Sequence, residues 1–464
     1  DDRVRLRTGT LGAAGAEGAR LFPGPVDAAL DLRGLVGFVD RHRFAWSTVG
    51  ALENLPHHRE STLSPDTPVS RGSAKSAITL LALASFASQS MVRVSDSLLP
   101  QIAADFGVSV GAASIVVTAY ALAHGSVQLI VGPVGDRFGK YACVTAAAAM
   151  STVLVLMCGL AGSLPMLVAA RLACGLSAGW IIPLAMAFLG DVIPYERRQQ
   201  VLGTFLSGQI LGQLFGQAAG GVLGDLFGWR NVFFFLAALF AVATVPLPIE
   251  FFRNPITHAG HATATRSRGF AKDYATVLRV PWARAVIVMG FIESLFMFGA
   301  FAFVGADLHL RFGVSFALVG IFVGAFAIGG LIYSLSVRGL VNRLGQVGLV
   351  TGGAVMLALA YLTIAFTPNT YLVPVAITTI GLGYYMLHNT LQTNATQMTP
   401  EARGTAVAIF SSALYLGQTL GVAMNGIVFD RFGAIPVFVT AAAGLLGLGL
   451  WFARALRQRQ NQEI

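Results

Sequence analysis

The chain has 464 residues, of which 55% are hydrophobic and only 11% charged, and its mean hydropathy is +0.69. A soluble chain carries roughly a quarter of its residues as charges, so a string of water-soluble domains is excluded. The net charge of +9 invites a nucleic-acid partner, but the positions of the basic residues argue against one.

In chain order, residues 1–74 are rich in Gly, Ala, Pro and Arg and show no sustained periodicity. They read as a disordered cytoplasmic extension or a mis-assigned start, since the chain opens on Asp1 and has no apolar core there for a signal peptide. Apolar runs then repeat at about the 20-residue length that a helix needs to cross hydrocarbon. Twelve are centred near Ser88, Ala123, Val153, Met186, Gly212, Ala238, Phe296, Gly324, Leu359, Tyr384, Ser411 and Leu445. The expected fold class is an all-α membrane protein of twelve transmembrane helices in two six-helix pseudo-repeats. The boundaries run as a first bundle over 75–252, a basic linker over 253–282, a second bundle over 283–455 and a tail over 456–464.

If the first span leaves the cytoplasm, the inner segments from Arg71 onward hold eighteen Lys or Arg and the outer connections three, Arg230, Arg311 and Arg431. That asymmetry is the positive-inside rule, so the basic balance reports topology instead of a phosphate-binding partner. Both termini are expected in the cytoplasm, in a multi-pass chain of the cell (inner or plasma) membrane. Cys143, Cys158 and Cys174 have no metal-site spacing and read as small apolar fillers; no metal is expected.

The two halves repeat. At an offset of about 206, Asp136-Arg137-Phe138-Gly139 answers to Asn342-Arg343-Leu344-Gly345, Gly175-Leu176 to Gly381-Leu382, and Pro194 with Arg197 to Pro400 with Arg403. One residue is lost later, so Gly212, Gly216, Gly221 and Asp225 answer to Gly417, Gly421, Gly426 and Asp430. Duplicated bundles place a substrate site at the repeat interface and rock around it.

Three motifs carry a resemblance to the major facilitator superfamily from Ser76 to Arg454. Gly132-Pro-Val-Gly-Asp136-Arg137-Phe-Gly139-Lys140 resembles its loop signature between spans two and three. The acid beside bases can engage helix ends and latch the inner ends of the halves; the other reading is a topogenic charge cluster. In the second copy, Asn342 stands where the acid is, beside Arg343, which weakens a latch there. Leu167-x3-Arg171-x3-Gly175-x3-Gly179 is similar to a second signature, whose arginine the resemblance links to proton transfer; Arg171 must be paired, hydrated or functional, or else snorkel outward. Span five resembles the antiporter signature but has Gln217 where that signature has proline. Its Gly208, Gly212, Gly216 and Gly220, next to Gly221, form a strip for close helix contact. Gln209, Gln213 and Gln217 form a polar strip one position round, facing a cavity or bonding a neighbouring helix.

Arg93-Val-Ser-Asp96-Ser-Leu-Leu-Pro100 in span one is the strongest chemical signal. Arg93 and Asp96 share a helix face, and Asp96 and Arg171 are expected at similar depth. A buried carboxylate that exchanges guanidinium partners can bind and release a proton; a permanent structural pair is the alternative. The resemblance extends here, since multidrug and proton antiporters of the family carry an acid in span one before an apolar pair and proline. Glu293 in span seven is a further proton-coupling candidate, or a buried protonated group between helices. His388, Asn389 and Gln392 in span ten, with Gln213 and Gln217, are candidate cavity residues, while His124 reads as helix packing.

The resemblance implies secondary transport of a small organic solute by alternating access, with protons as coupling ion and no other cofactor. The expected direction is efflux of a drug or metabolite by a monomer in a lipid bilayer, without nucleic acid. A proton symporter or uniporter for a sugar or other metabolite is the alternative, and a non-transporting sensor or scaffold is the alternative of another class. No phosphate-cradling loop, paired-histidine metal motif or nucleophile elbow is present, so no enzymatic activity is expected.

Overall fold

In hydrocarbon every backbone N–H and C=O must be satisfied within its own segment, which leaves this apolar chain only helices or a closed barrel. The computed structural model describes residues 71–193, 195–258 and 270–462, and among them it contains helices and no strand. The extension expected over 1–74 lies outside the described residues as far as residue 70. Pro194 and the middle of the linker, with Arg266 and Arg268, lie outside them too.

Among the described residues, nine helices are long and apolar enough to cross a membrane. One of them, Phe316–Phe366, is two helices joined at Gly345, whose φ of 60° and ψ of −177° break the helical path. Two more, Tyr195–Phe227 and Leu372–Gln397, carry glutamine, asparagine and threonine that lower their hydropathy. They fill the fifth and tenth places and complete twelve. We label them α1 (Arg71–Phe106), α2 (Ile115–Phe138, preceded by the short turn Val110–Ala113), α3 (Lys140–Gly159), α4 (Leu164–Val192), α5 (Tyr195–Phe227), α6 (Trp229–Arg253), α7 (Pro281–Phe312), α8 (316–344), α9 (346–366), α10 (Leu372–Gln397), α11 (Arg403–Phe432) and α12 (Ala434–Gln462). The short helix Phe270–Arg279 belongs to the linker. The face bearing the α2–α3 and α8–α9 turns is called the basic face below.

The duplication is visible in the backbone. Among the described residues, the six glycines with positive φ form three pairs at the repeat offset: Gly107 with Gly313 (both 65°), Gly139 (91°) with Gly345 (60°), and Gly228 (82°) with Gly433 (79°). Each ends a helix with a turn that a Cβ would strain.

Helix packing repeats as well. A Cβ on Gly212 would lie 2.6 Å from the Phe86 carbonyl oxygen and one on Gly216 2.0 Å from that of Ser90, so α5 lies directly on α1. Their counterparts Gly417 and Gly421 bring α11 equally close to α7, at 2.1 Å from the Phe291 and Leu295 oxygens. Gly220 meets Ser97 and Val94 of α1, but Gly208 meets nothing within 4 Å and takes no part in the strip. The Ser90 hydroxyl donates to the Gly212 carbonyl oxygen at 3.0 Å. Such interhelical bonds average only about 0.6 kcal/mol in membranes, so close backbone packing is the main tie between α1 and α5.

The halves meet through α2 against α11 and α5 against α8. On the face opposite the basic one these contacts are tight. Gly221 meets Gly320, Gly426 meets Gly111 and Ser114, and the Asp430 carboxylate accepts from the Ser109 hydroxyl at 2.5 Å and the Gly111 N–H at 2.9 Å. Toward the basic face both seams open. One holds a cavity of about 340 Å³ among Leu129, Phe291, Ile409 and Leu416, the other a cavity of about 520 Å³ between α4 and α5 on one side and α8 to α10 on the other.

Candidate transport pathway

Each half buries an acid with a base. On α1, Asp96 and Arg93 are both 2% exposed, and Arg93 Nη1 donates to Asp96 Oδ2 at 3.1 Å. The i, i+3 spacing that placed them on one face produces this contact. Arg93 also crosses to the second half. Its Nη2 donates to Gln418 Oε1 of α11 at 3.3 Å, and its guanidinium lies 3.7 Å from the centroid of the Phe298 ring of α7. One side chain thus joins the first-half acid to two helices of the other bundle.

Arg171 is fully buried on α4, but its hydrogen bonds go elsewhere. Its guanidinium donates to the carbonyl oxygens of Met91 at 3.3 Å and Val116 at 3.4 Å and stacks 4.2 Å from the Tyr120 ring centroid. It therefore ties α1, α2 and α4 together, within electrostatic reach of Asp96 yet not as its hydrogen-bond partner. Asp96 Oδ1 and Arg171 Nη2 are both buried without a partner. Each keeps unused capacity for a rearranged pairing.

In the second half Glu293 of α7 is 0% exposed, and its Oε2 lies 2.8 Å from His388 Nδ1 of α10. The His388 ring stacks on Tyr384 at 4.8 Å and on Phe410 of α11 at 6.2 Å, and Tyr384 contacts Phe298 edge-on at 5.1 Å. The two acid–base pairs are thereby joined by a row of rings, Phe298 to Tyr384, running from Arg93 to His388.

The remaining candidates are spread out. Asn389 and Gln392 line the larger cavity together with Tyr333, Gln346 and Thr393, whereas His388 lies next to that wall and Gln213 and Gln217 do not line it. Gln217 is fully buried with neither amide atom bonded, and Gln213 is half-buried. His124 packs between Tyr120 and Tyr415 at ring distances of 5.5 and 4.3 Å, bridging α2 and α11. Cys158 and Cys174 are buried with sulfurs 3.8 Å apart, and Cys143 is half-buried. In the loop after α2, Lys140 pairs with Asp136 at 3.2 Å and with Asp191 of α4 at 2.5 Å. Both partners belong to the first half, so this cluster ties α2, α3 and α4 where the halves are parted. Asn342 and Arg343 are exposed.

Sequence reading missed Gln418 and the Glu293–His388 contact. Gln418 could have been found, because it is the repeat counterpart of Gln213, a named cavity candidate.

The sequence profile of the Major Facilitator Superfamily matches residues 81–422 and, in a second alignment, 312–462. The chain belongs to the Major Facilitator Superfamily. The transporter is 25% identical over 361 residues to the MFS-type transporter YceJ of Bacillus subtilis (strain 168), covering 76% of this chain and 90% of that one. To Multidrug resistance protein 2 of the same organism it is 25% identical over 341 residues, covering 70% and 82%. Among solved structures, the nucleoside transporter NupG superposes with a TM-score of 0.66 at 15% identity over 81% of this chain and 98% of NupG. A structure of the peptide transporter POT with sulfate gives 0.67 at 15% identity over 83% and 94%. These structural likenesses establish the fold, and the family makes the protein a multi-pass membrane transporter.

Proposed function

We propose that the transporter is a proton-coupled exporter of a small organic solute, working by alternating access with its basic face in the cytoplasm. The observation that carries this reading is the position of Arg93. It holds Asp96 in one half while touching Gln418 and Phe298 of the other. Protonating Asp96 removes the charge that fixes the guanidinium, and Arg93 then depends on its second-half contacts alone. Removing one partner of a buried ion pair costs about 3–5 kcal/mol, enough to shift a balance between two states that differ by a few kcal/mol. Arg171 and Glu293 complete the proposed coupling set, and both are buried. The working units are the bundles over 75–252 and 283–455. The names of two Bacillus subtilis relatives, Multidrug resistance proteins 1 and 2, favour efflux.

A second reading, uptake of a neutral metabolite, is favoured by the amide and hydroxyl lining of the larger cavity, where Gln346, Asn389, Thr390, Gln392, Thr393 and Thr396 converge. The direction of pH-driven flux separates the two. In everted vesicles energised by a pH gradient, wild type should release protons when substrate is added and Asp96→Asn should release none. Normal exchange in Asp96→Asn removes Asp96 from the mechanism.

A further inference from the structure

Glu293 has an acceptor that no described residue fills. One carboxylate oxygen is held by His388 at 2.8 Å, while Oε1 is buried without a partner. The His388 side chain is 11% exposed and that of Glu293 0%, so the imidazole stands between the acid and open space. Gln392, one turn along α10 on the same helix face as His388, lines the cavity of about 520 Å³. The acid therefore sits one step beyond the wall of a cavity, behind a ring flanked by Tyr384 and Phe410.

The charge balance of this pair selects its ligand. With one proton between them Glu293 and His388 are neutral overall, whether that proton sits on carboxyl or imidazole. An uncompensated charge at a buried site is strongly unfavourable. A cation can therefore enter only if the proton leaves, so that carboxylate and cation replace carboxyl and imidazole with no net change. An anion would instead need the pair to take up a second proton, and what the pair leaves unfilled is an acceptor oxygen, which an anion cannot use. A hard metal ion needs about six oxygen ligands, and no cluster of three His, Cys, Asp or Glu suited to a metal occurs among the described residues. One free carboxylate oxygen beside aromatic faces suits a soft organic cation, which rings attract through their π electrons.

We propose that Glu293 and His388 form the binding site for the charged group of a monovalent organic cation, which displaces one proton from the pair as it binds. This rests on the exporter reading for its physiological direction but not for the binding step. The ionisable group beside Glu293 is Tyr384 of α10, which itself lies near Tyr385, near Tyr415 of α11 and near Arg93 of α1. Between Ala434 and Ala453, α12 brings no acid, base or tyrosine.

The test uses the full chain in lipid nanodiscs with tetraphenylphosphonium as probe. Titration calorimetry in two buffers of different protonation enthalpy reads affinity and proton release together. Wild type should bind the cation and release one proton for each bound. Glu293→Gln should weaken binding by at least about tenfold and abolish the release, while Asp225→Asn, at an exposed acid outside the pair, should keep both. No binding by wild type, binding without proton release, or unchanged binding in Glu293→Gln overturns the proposal. None of these outcomes touches the coupling role of Asp96, which the everted-vesicle assay reads separately. A measurement on wild type needs no variant to fold: carbodiimide labelling of Glu293, read by peptide mass spectrometry, should be suppressed by tetraphenylphosphonium. Labelling that the cation does not change overturns the proposal.

Discussion

The two halves of the transporter share their glycines and differ in their charges. Gly216 and Gly421 bring a helix onto a neighbouring carbonyl at 2.0 and 2.1 Å, and the helix-ending glycines repeat in three pairs. The buried ionisable residues do not repeat. Arg171 is answered by Ile377, Asp96 by Ala302, Glu293 by Ala87 and His388 by Ile182. Backbone contact admits only one residue type, so both copies keep it. A charge in the membrane is retained only where it acts, and each half holds its own set.

The comparison breaks first, and by the largest effect, at the glycines. Gly216→Leu and Gly421→Leu should each destabilise by at least the roughly 1–3 kcal/mol typical of overpacking, seen as loss of monodisperse protein in detergent. Gly208→Leu, placed in open space, should leave the yield unchanged. Equal tolerance at all three positions would contradict the packing account.

A smaller effect sharpens the contrast in charge. Gln418 and Gln213 are repeat counterparts, but only Gln418 is bonded to Arg93. Loss of a hydrogen bond to a charged group is worth about 1.5–3 kcal/mol. Gln418→Leu should therefore slow proton-coupled exchange about tenfold or more in the everted-vesicle assay, with Gln213→Leu near wild type. Equal losses would show that the repeat, and not the Arg93 contact, sets the role.

Much of this was legible before any coordinates. Twelve apolar runs, the repeat offset and the Arg93–Asp96 spacing are one-dimensional patterns, and a helix converts each directly into geometry. Depth in the membrane follows from counting residues, which is why Asp96 and Arg171 were expected together. Rotation about the helix axis does not follow so simply. Arg171 points its guanidinium at the Met91 and Val116 carbonyl oxygens, and no count along α4 fixes that. The Glu293–His388 contact joins residues 95 positions apart and depends on how α7 and α10 pack. Gly208 continued the strip in sequence but lies where α5 has already left α1.

The central claim is that the protonation of Asp96 is felt by the second half through Arg93. It is tested most directly by spin-label distances across the basic face. Labels would be placed at Phe138→Cys and Leu344→Cys, exposed repeat counterparts, in a chain whose three native cysteines are replaced by alanine. In nanodiscs, the distance distribution of wild-type background should change between acidic and alkaline pH, and Asp96→Asn should hold one distribution at both. The same pH-dependent change in Asp96→Asn would contradict the account.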